Sequence, residues 1–429
     1  MTKHILGTRA AARIHILMLA ASGLGAGCDP TRSAPSPTDA PLGERPILPL
    51  GDTATTPSGE GSGEPDDGAR RFERAPLDSY RELGLTLGGG CALHKSGRLA
   101  CWGRDTLGLD RGFARSKQPR FVPGLPPLSH LAGGGLCVSA SDARTWCWGL
   151  GAWTATGRPE QFSYLPVRAP HLDGLRIFIA RPLDGRHGCG LAANGDLSCW
   201  GANGAGQTGQ AAGVGDFGAY RPAAVVAHGV KAVAAGGRHT CATDDRGALR
   251  CWGDAEGGAL GDGDAHERDC EWYTPDSPAG GPPPARARRC KGPDPFVATP
   301  LEVSAGPVTA LAAGWRSACA VDRGQLSCWG DRFGPSPRLV PVADVAQLAA
   351  AGSLYCGRSE AGEVSCWGAE PSGRLVSMTP RAIEPLRGAT TIAVAPARVC
   401  GLVRGTVRCW GRNESGLTID DFTNAGPQP

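Results

Sequence analysis

Fourteen cysteines in this chain follow one rule. Cys-Trp-Gly occurs at Cys101-Trp102-Gly103, Cys147-Trp148-Gly149, Cys199-Trp200-Gly201, Cys251-Trp252-Gly253, Cys328-Trp329-Gly330, Cys366-Trp367-Gly368 and Cys409-Trp410-Gly411. Each copy is preceded by another cysteine: Cys91, Cys137, Cys189, Cys241, Cys319, Cys356 and Cys400, ten residues earlier in five copies and nine in two. Thiols placed this way could ligate zinc, exchange disulfides or cross-link two strands. Zinc sites use short C-x-x-C knuckles or histidine-rich spacings, and a thioredoxin-like redox pair uses C-x-x-C at a helix start. No C-x-x-C occurs in the chain. Cross-linking remains as the expected chemistry.

The residues between the cysteines say which element must position them. Setting each pair opposite one another leaves three-residue loops, Lys95-Ser96-Gly97, Ala193-Asn194-Gly195, Asp245-Arg246-Gly247 and Glu360-Ala361-Gly362, with glycine third. A three-residue hairpin loop puts its last residue in the left-handed region, where glycine meets no steric penalty. The second copy has Ala143 there instead, and the two nine-residue copies leave Arg323-Gly324 and Arg404-Gly405, suited to tight primed turns. The length change therefore falls in the turn, and cysteine stays opposite cysteine. Directly opposed antiparallel residues lie within disulfide reach. The expected bonds are Cys91–Cys101, Cys137–Cys147, Cys189–Cys199, Cys241–Cys251, Cys319–Cys328, Cys356–Cys366 and Cys400–Cys409. The same register sets Leu93 opposite Leu99 and Leu191 opposite Leu197 on a buried face, with the tryptophans on the other. Cys270 and Cys290 form an eighth expected pair, and Cys28 is left over from a total of 17.

That odd cysteine ends an export signal. Lys3, Arg9 and Arg13 precede the mostly apolar Ile14 to Leu19 and the small residues to Gly27. Leu24-Gly25-Ala26-Gly27-Cys28 resembles the lipobox of bacterial lipoproteins, although Leu24 stands four residues before the cysteine instead of three. Lipid attachment at Cys28 is expected, against plain secretion as the alternative. Residues 29–75 are rich in proline, serine, glycine and charge and offer little to bury, which predicts a disordered tether. Flexible-chain scaling gives it a reach of roughly 35–40 Å. Residues 76–429 then hold the repeats, with an insertion at about 254–300. Across the 429 residues there are 65 Gly, 36 Pro and 3 Met, a usage that favours turns and short strands over long helices. The net charge of +3 gives no field that would favour a nucleic-acid partner.

Other candidate chemistry is sparse. The chain has no H-E-x-x-H, G-x-S-x-G or G-x-x-x-x-G-K-[ST], so no catalytic residue is assigned. His187 and His239 stand two residues before the first cysteine of their hairpins and are read as hydrogen-bonding within their own repeat. Asp262-Gly263-Asp264-Ala265-His266-Glu267 faintly resembles a calcium loop but is better read as the end of a repeat turn. No metal and no cofactor are expected. Trp146, Trp153, Trp272 and Trp315 lie outside the repeat and are read as core, Trp272 excepted. Trp272 and Tyr273, with Arg286, Arg288 and Arg289, sit between Cys270 and Cys290 and are the candidate partner-binding residues, because aromatic and arginine side chains are enriched at interface hot spots.

Val233-Ala234-Ala235-Gly236-Gly237-Arg238-His239-Thr240-Cys241 precedes one hairpin, and Trp200-Gly201-Ala202-Asn203-Gly204-Ala205-Gly206-Gln207-Thr208-Gly209 follows another. Together they resemble the repeat of the regulator-of-chromosome-condensation family. The added cysteines resemble its exported bacterial members. The resemblance spans roughly residues 77–418 and implies an all-β, seven-bladed β-propeller. Tryptophan intervals of 46, 52, 52, 77, 38 and 43 residues suit four-stranded blades, and the two short intervals predict trimmed blades ending at Trp367 and Trp410. Leu83 to Leu87 and Gly416 to Ile419 are candidates for closing the ring. Family members include a nuclear guanine-nucleotide exchange factor and secreted inhibitors of β-lactamase, so the resemblance implies protein binding. Exchange on a cytosolic GTPase is not expected of an exported chain. The expectation is therefore a non-enzymatic, monomeric binding or scaffold propeller, lipid-anchored at the bacterial cell envelope, whose partner is a protein in the envelope or outside the cell. An envelope enzyme with a pocket at the propeller mouth, or a purely structural envelope component, are the alternatives.

Overall fold

The computed structural model describes residues 73–76, 78–86, 89–103, 116–132, 137–150, 162–180, 187–210, 224–267, 270–273, 287–291, 295–369, 375–396 and 398–411. Cys28 and the tether positions before Glu73 lie outside them, as do Trp153, Arg286 and Gly416 to Ile419. The described residues form a seven-bladed β-propeller. Each blade is an antiparallel meander whose strands run in chain order from the inside out. Blade 1 comprises Tyr80–Leu85, Gly89–His94, Leu99–Gly103 and Ser116–Phe121; blade 4 comprises Val230–Ala235, His239–Asp244, Leu249–Asp254 and Phe296–Ser304. Blade 5 comprises Val308–Ala313, Ser317–Asp322, Gln325–Gly330 and Gly334–Leu339, and blade 7 shows three described strands, Ala389–Ala395, Arg398–Val403 and Thr406–Gly411.

The middle two strands of every blade are the Cys hairpin. Seven disulfides join the expected partners at Cα separations of 4.0–4.1 Å. Leu93 faces Leu99 and Leu191 faces Leu197, as the alternation requires. The third loop residues Gly97, Gly195, Gly247 and Gly362 all have positive φ. Arg323 and Gly324, like Arg404 and Gly405, both have positive φ, which is the type I′ turn. The repeat tryptophans from Trp148 to Trp367 are 0–1 % exposed and pack between neighbouring blades.

One expectation is corrected. Blades 5 and 6 are not trimmed: the outer strands Gly334–Leu339 and Leu375–Ala382 are present. In blade 5 the shortening is taken up between the third and outer strands, where Gly330 and Gly334 are Cα partners across a tight turn. Of the candidates for closing the ring, Gly416 to Ile419 lie outside the described residues. Leu83 belongs to blade 1's own innermost strand. Gly97, Gly195 and Gly247 each accept, at 2.8–3.0 Å, the backbone N–H that opens the next blade at Leu128, Val230 and Val308. At the seam from blade 7 to blade 1, Gly405 accepts the N–H of Tyr80 at 3.0 Å in the same way. The buried Arg398 adds bonds from Nη2 to Thr86 O at 2.7 Å and Gly89 O at 2.5 Å. Tyr80, Leu85 and Trp102 of blade 1 share one core cluster with Ala393, Leu402 and Cys409 of blade 7.

Candidate binding face

An antiparallel meander puts its first and third connections on one face and its hairpin turn on the other. The first connections of blades 4, 5 and 6 are tied in series. Gly237 N donates to Gly314 O at 2.9 Å, and Trp315 N donates to Gly352 O at 2.7 Å. Gly314 suits this approach, since a Cβ there would lie 2.6 Å from Tyr355 Oη. Trp315 thus has its backbone fixed from both sides while its side chain is 41 % exposed. It is not core. The charges around it are paired: Arg316 Nη2 lies 2.9 Å from Glu256 Oε2, and Arg238 Nε lies 3.5 Å from Asp254 Oδ2. Burial pushes the Asp254 carboxyl above its usual range, against the Glu256 N–H and the two arginines.

Beneath these charges lie two fully buried histidines. His239 packs against Gly236, and neither of its ring nitrogens has a hydrogen-bond partner among the described residues. Burial, with the positive field of Arg316, lowers it to about 4. His187 is lowered to about 3, by burial first and His239 second. The expectation that these side chains bond within their own repeat is wrong. His187 Nε2 reaches Thr240 Oγ1 of the next blade at 2.9 Å, because strand starts of adjacent blades converge there. The Asn203 to Gly209 loop belongs to the same joint: the Gln207 carbonyl accepts from Trp252 Nε1 at 3.1 Å.

The insertion leaves from this face. Asp254 pairs with Phe296, and Ala255 N donates to Pro295 O at 3.0 Å, so its two ends are clamped together. Asp262, Asp264 and His266 cap their own turn, with His266 Nε2 2.8 Å from Asp262 Oδ2. No group of three or more possible metal-ligating side chains occurs among the described residues. Farther out, Cys270–Tyr273 and Ala287–Cys290 form a two-stranded ribbon in which Cys270 is the Cα partner of Cys290, Glu271 of Arg289 and Trp272 of Arg288. The register thus brings the candidate residues Trp272, Tyr273, Arg288 and Arg289 onto one ribbon, while their side chains and Arg286 lie outside the described residues. Sequence reasoning missed Trp315, Arg238 and Arg316. The available signal was positional, since Arg238 and Arg316 each stand three residues before the first cysteine of a hairpin.

Residues 230–258 match the family model for the regulator of chromosome condensation (RCC1) repeat. One blade of the seven-bladed propeller thus carries a match to the RCC1 repeat. Among solved structures, Prp20p from Saccharomyces cerevisiae is similar with a TM-score of 0.54 at 16% identity, covering 79% of this chain and 83% of that one. Human WBSCR16 is similar with a TM-score of 0.52 at 17% identity, covering 80% and 92%. At these identities the likeness is one of fold. No curated protein sequence matches the chain.

Proposed function

We propose that this RCC1-type propeller is a non-enzymatic protein-binding or scaffold module, held at the bacterial cell envelope by a lipid on Cys28, that captures a protein partner with the face around blades 4 and 5. The observation that carries the reading is the pairing, on one face, of the rigidly held, exposed Trp315 with the clamped ends of the insertion. An aromatic side chain whose backbone is fixed before binding has only its own rotamers to order on contact and suits the centre of an interface. Solved relatives support the class of activity: Prp20p has described binding properties to Gsp1p and histones, and yeast RCC1 (Prp20) has been seen with Kap60 bound. Those partners belong to those proteins. Seven disulfides fit an oxidising compartment. No helix among the described residues is long and apolar enough to cross a membrane.

The enzyme alternative would draw on Asp254, Glu256 and His239, which do converge at one face. Both carboxylates are engaged by arginines, and His239 has no solvent exposure, so neither a free base nor a free acid is presented. Pull-down from the native envelope tests the proposal. A stoichiometric protein partner that is lost when Trp272, Tyr273 and Arg288 are all changed to alanine supports it; undiminished capture by that variant removes the insertion from the interface. Cys28→Ser should release the protein in soluble form, and unchanged membrane fractionation would refute the lipid anchor.

A further inference from the structure

The chain covers one of its own sheet edges. Just before blade 1, Glu73 to Ala75 lie against the outer strand: Phe121 N donates to Glu73 O and Ala75 N donates to Pro119 O, both at 3.0 Å. Arg98 then pairs with Glu73 at 2.7 Å and stacks 3.7 Å over the Phe121 ring. Under this cover Pro119 is buried and Phe121 is 5 % exposed. Outward-facing proline has no N–H to donate, yet its carbonyl still accepts.

Among the described residues, blade 5 repeats the acceptor without the cover. Its outer strand reads Pro337-Arg338-Leu339 where blade 1 reads Pro119-Arg120-Phe121, in the same register: Arg338 faces Cys328 as Arg120 faces Cys101, and Leu339 faces Ser327 as Phe121 faces Ala100. Higher on the strand the edge is already used, since Pro335 O accepts Gly263 N at 3.2 Å from the insertion's first turn. Below it, Ser336 to Leu339 are all exposed, and Leu339 is 68 % exposed. The strand is the last of its sheet. Basic charge stands nearby in the exposed Arg338 and in Arg323, 67 % exposed on the hairpin at that end of the sheet.

We propose that Ser336 to Leu339 form a docking edge for an extended segment of a partner protein bearing an acidic residue two positions before a small one, as Glu73-Arg74-Ala75 does in blade 1. Strand addition draws its affinity from main-chain hydrogen bonds and its selectivity from alternate side chains. Pro337 O would accept one N–H, Leu339 N–H would donate to one carbonyl, and the leucine would be covered. This edge lies apart from the loop face, so the inference does not depend on the function proposed above.

The probe is a fluorescein-labelled peptide copying residues 71–77, titrated against the purified full-length chain with anisotropy as readout. Saturable binding is expected, weakened about tenfold or more by Leu339→Asp, since the charge would be covered by the added strand. Leu339 is exposed, so that variant should melt with the wild type. Arg98→Ala loosens the chain's own segment on blade 1 and should leave peptide affinity unchanged. Absence of saturable binding, indifference to Leu339→Asp, or tighter binding by Arg98→Ala would each overturn the proposal, the last by moving the site to blade 1. A wild-type dimer that Leu339→Asp turns into monomer would assign the edge to a second copy and overturn it as well.

Discussion

His187 Nε2 lies 2.9 Å from Thr240 Oγ1, and that hydroxyl lies 2.8 Å from the Gln207 carbonyl, to which it donates. The hydroxyl therefore accepts from the histidine, which places the imidazole proton on Nε2. Three residues from two blades form one buried relay, and burial requires its ring to stay neutral.

That requirement gives a pH dependence of defined sign. In the unfolded chain both histidines bind a proton near the ordinary value of 6.5, whereas in the fold His187 resists until about 3 and His239 until about 4. The unfolded state holds more protons between those limits, so stability should fall as pH drops below about 6.5 and keep falling to about 3–4. At pH 5 each histidine accounts for about 2 kcal/mol of lost stability. Asp254 acts in the opposite sense because burial raises its carboxyl, and it offsets part of the slope. Denaturant unfolding at pH 7.5 and pH 5 measures the difference; equal stability at both values would contradict the neutral relay.

Ala143 occupies with φ of 65° the loop position that glycine fills in the other three-residue hairpins. A side chain in the left-handed region costs roughly 1 kcal/mol, partly offset by the greater freedom of glycine in the unfolded chain. Ala143→Gly should therefore stabilise the protein by about 0.5 kcal/mol. A lower melting temperature for this variant would show that the hairpin is held by something other than its turn.

Much of this was readable because the repeat stores its information locally. The cysteines, the turn glycines and the tryptophan of one hairpin lie within a dozen residues, so spacing alone sets the register from Cys91 to Cys409. The inter-blade contacts were not readable. His187 meets Thr240 across 53 residues, and no periodicity says which neighbouring strand start will lie beside it. Trp315 looked like core for a related reason: its exposure depends on Gly237 and Gly352 gripping the backbone from the flanking blades. The shortened stretch before Trp367 was misjudged because loops absorb deletions more cheaply than strands, and the blade 5 turn did so.

Arg398 should be the most sensitive single position at the ring seam. It is 3 % exposed and holds the carbonyls of Thr86 and Gly89 in blade 1. Truncation removes charge-assisted bonds to two carbonyls that sit too deep for bulk water to replace them. Arg398→Ala should cost about 3 kcal/mol or more, and local opening should concentrate at blades 7 and 1. Hydrogen exchange resolved by peptide would locate the loss; uniform loosening of all blades would argue against a seam-specific role.

The disulfides predict resistance followed by collapse. All fourteen cysteines are 0–5 % exposed, so a mild reductant should leave the folded propeller untouched until heat or denaturant opens it. Each ten-residue loop contributes about 2.5–3 kcal/mol in the chain-entropy description, so removing Cys189 and Cys199 together should destabilise by roughly that amount. Non-reducing peptide mapping should recover only intra-hairpin pairs, and any bond between different repeats would contradict the register.

Trp315 offers the cleanest separation of binding from folding. Its side chain is 41 % exposed, and its backbone bonds to Gly237 and Gly352 do not need the indole. Trp315→Ala should therefore change unfolding free energy by less than about 1 kcal/mol, since little buried surface is lost. An aromatic anchor at the centre of an interface is worth about 2 kcal/mol or more, so partner affinity should fall by about thirtyfold. Arg358→Ala, on another blade, serves as the comparison and should leave affinity unchanged. Full affinity in the Trp315 variant would exclude this side chain from the interface. A large loss of stability would show instead that the indole supports the joined loops of blades 4, 5 and 6.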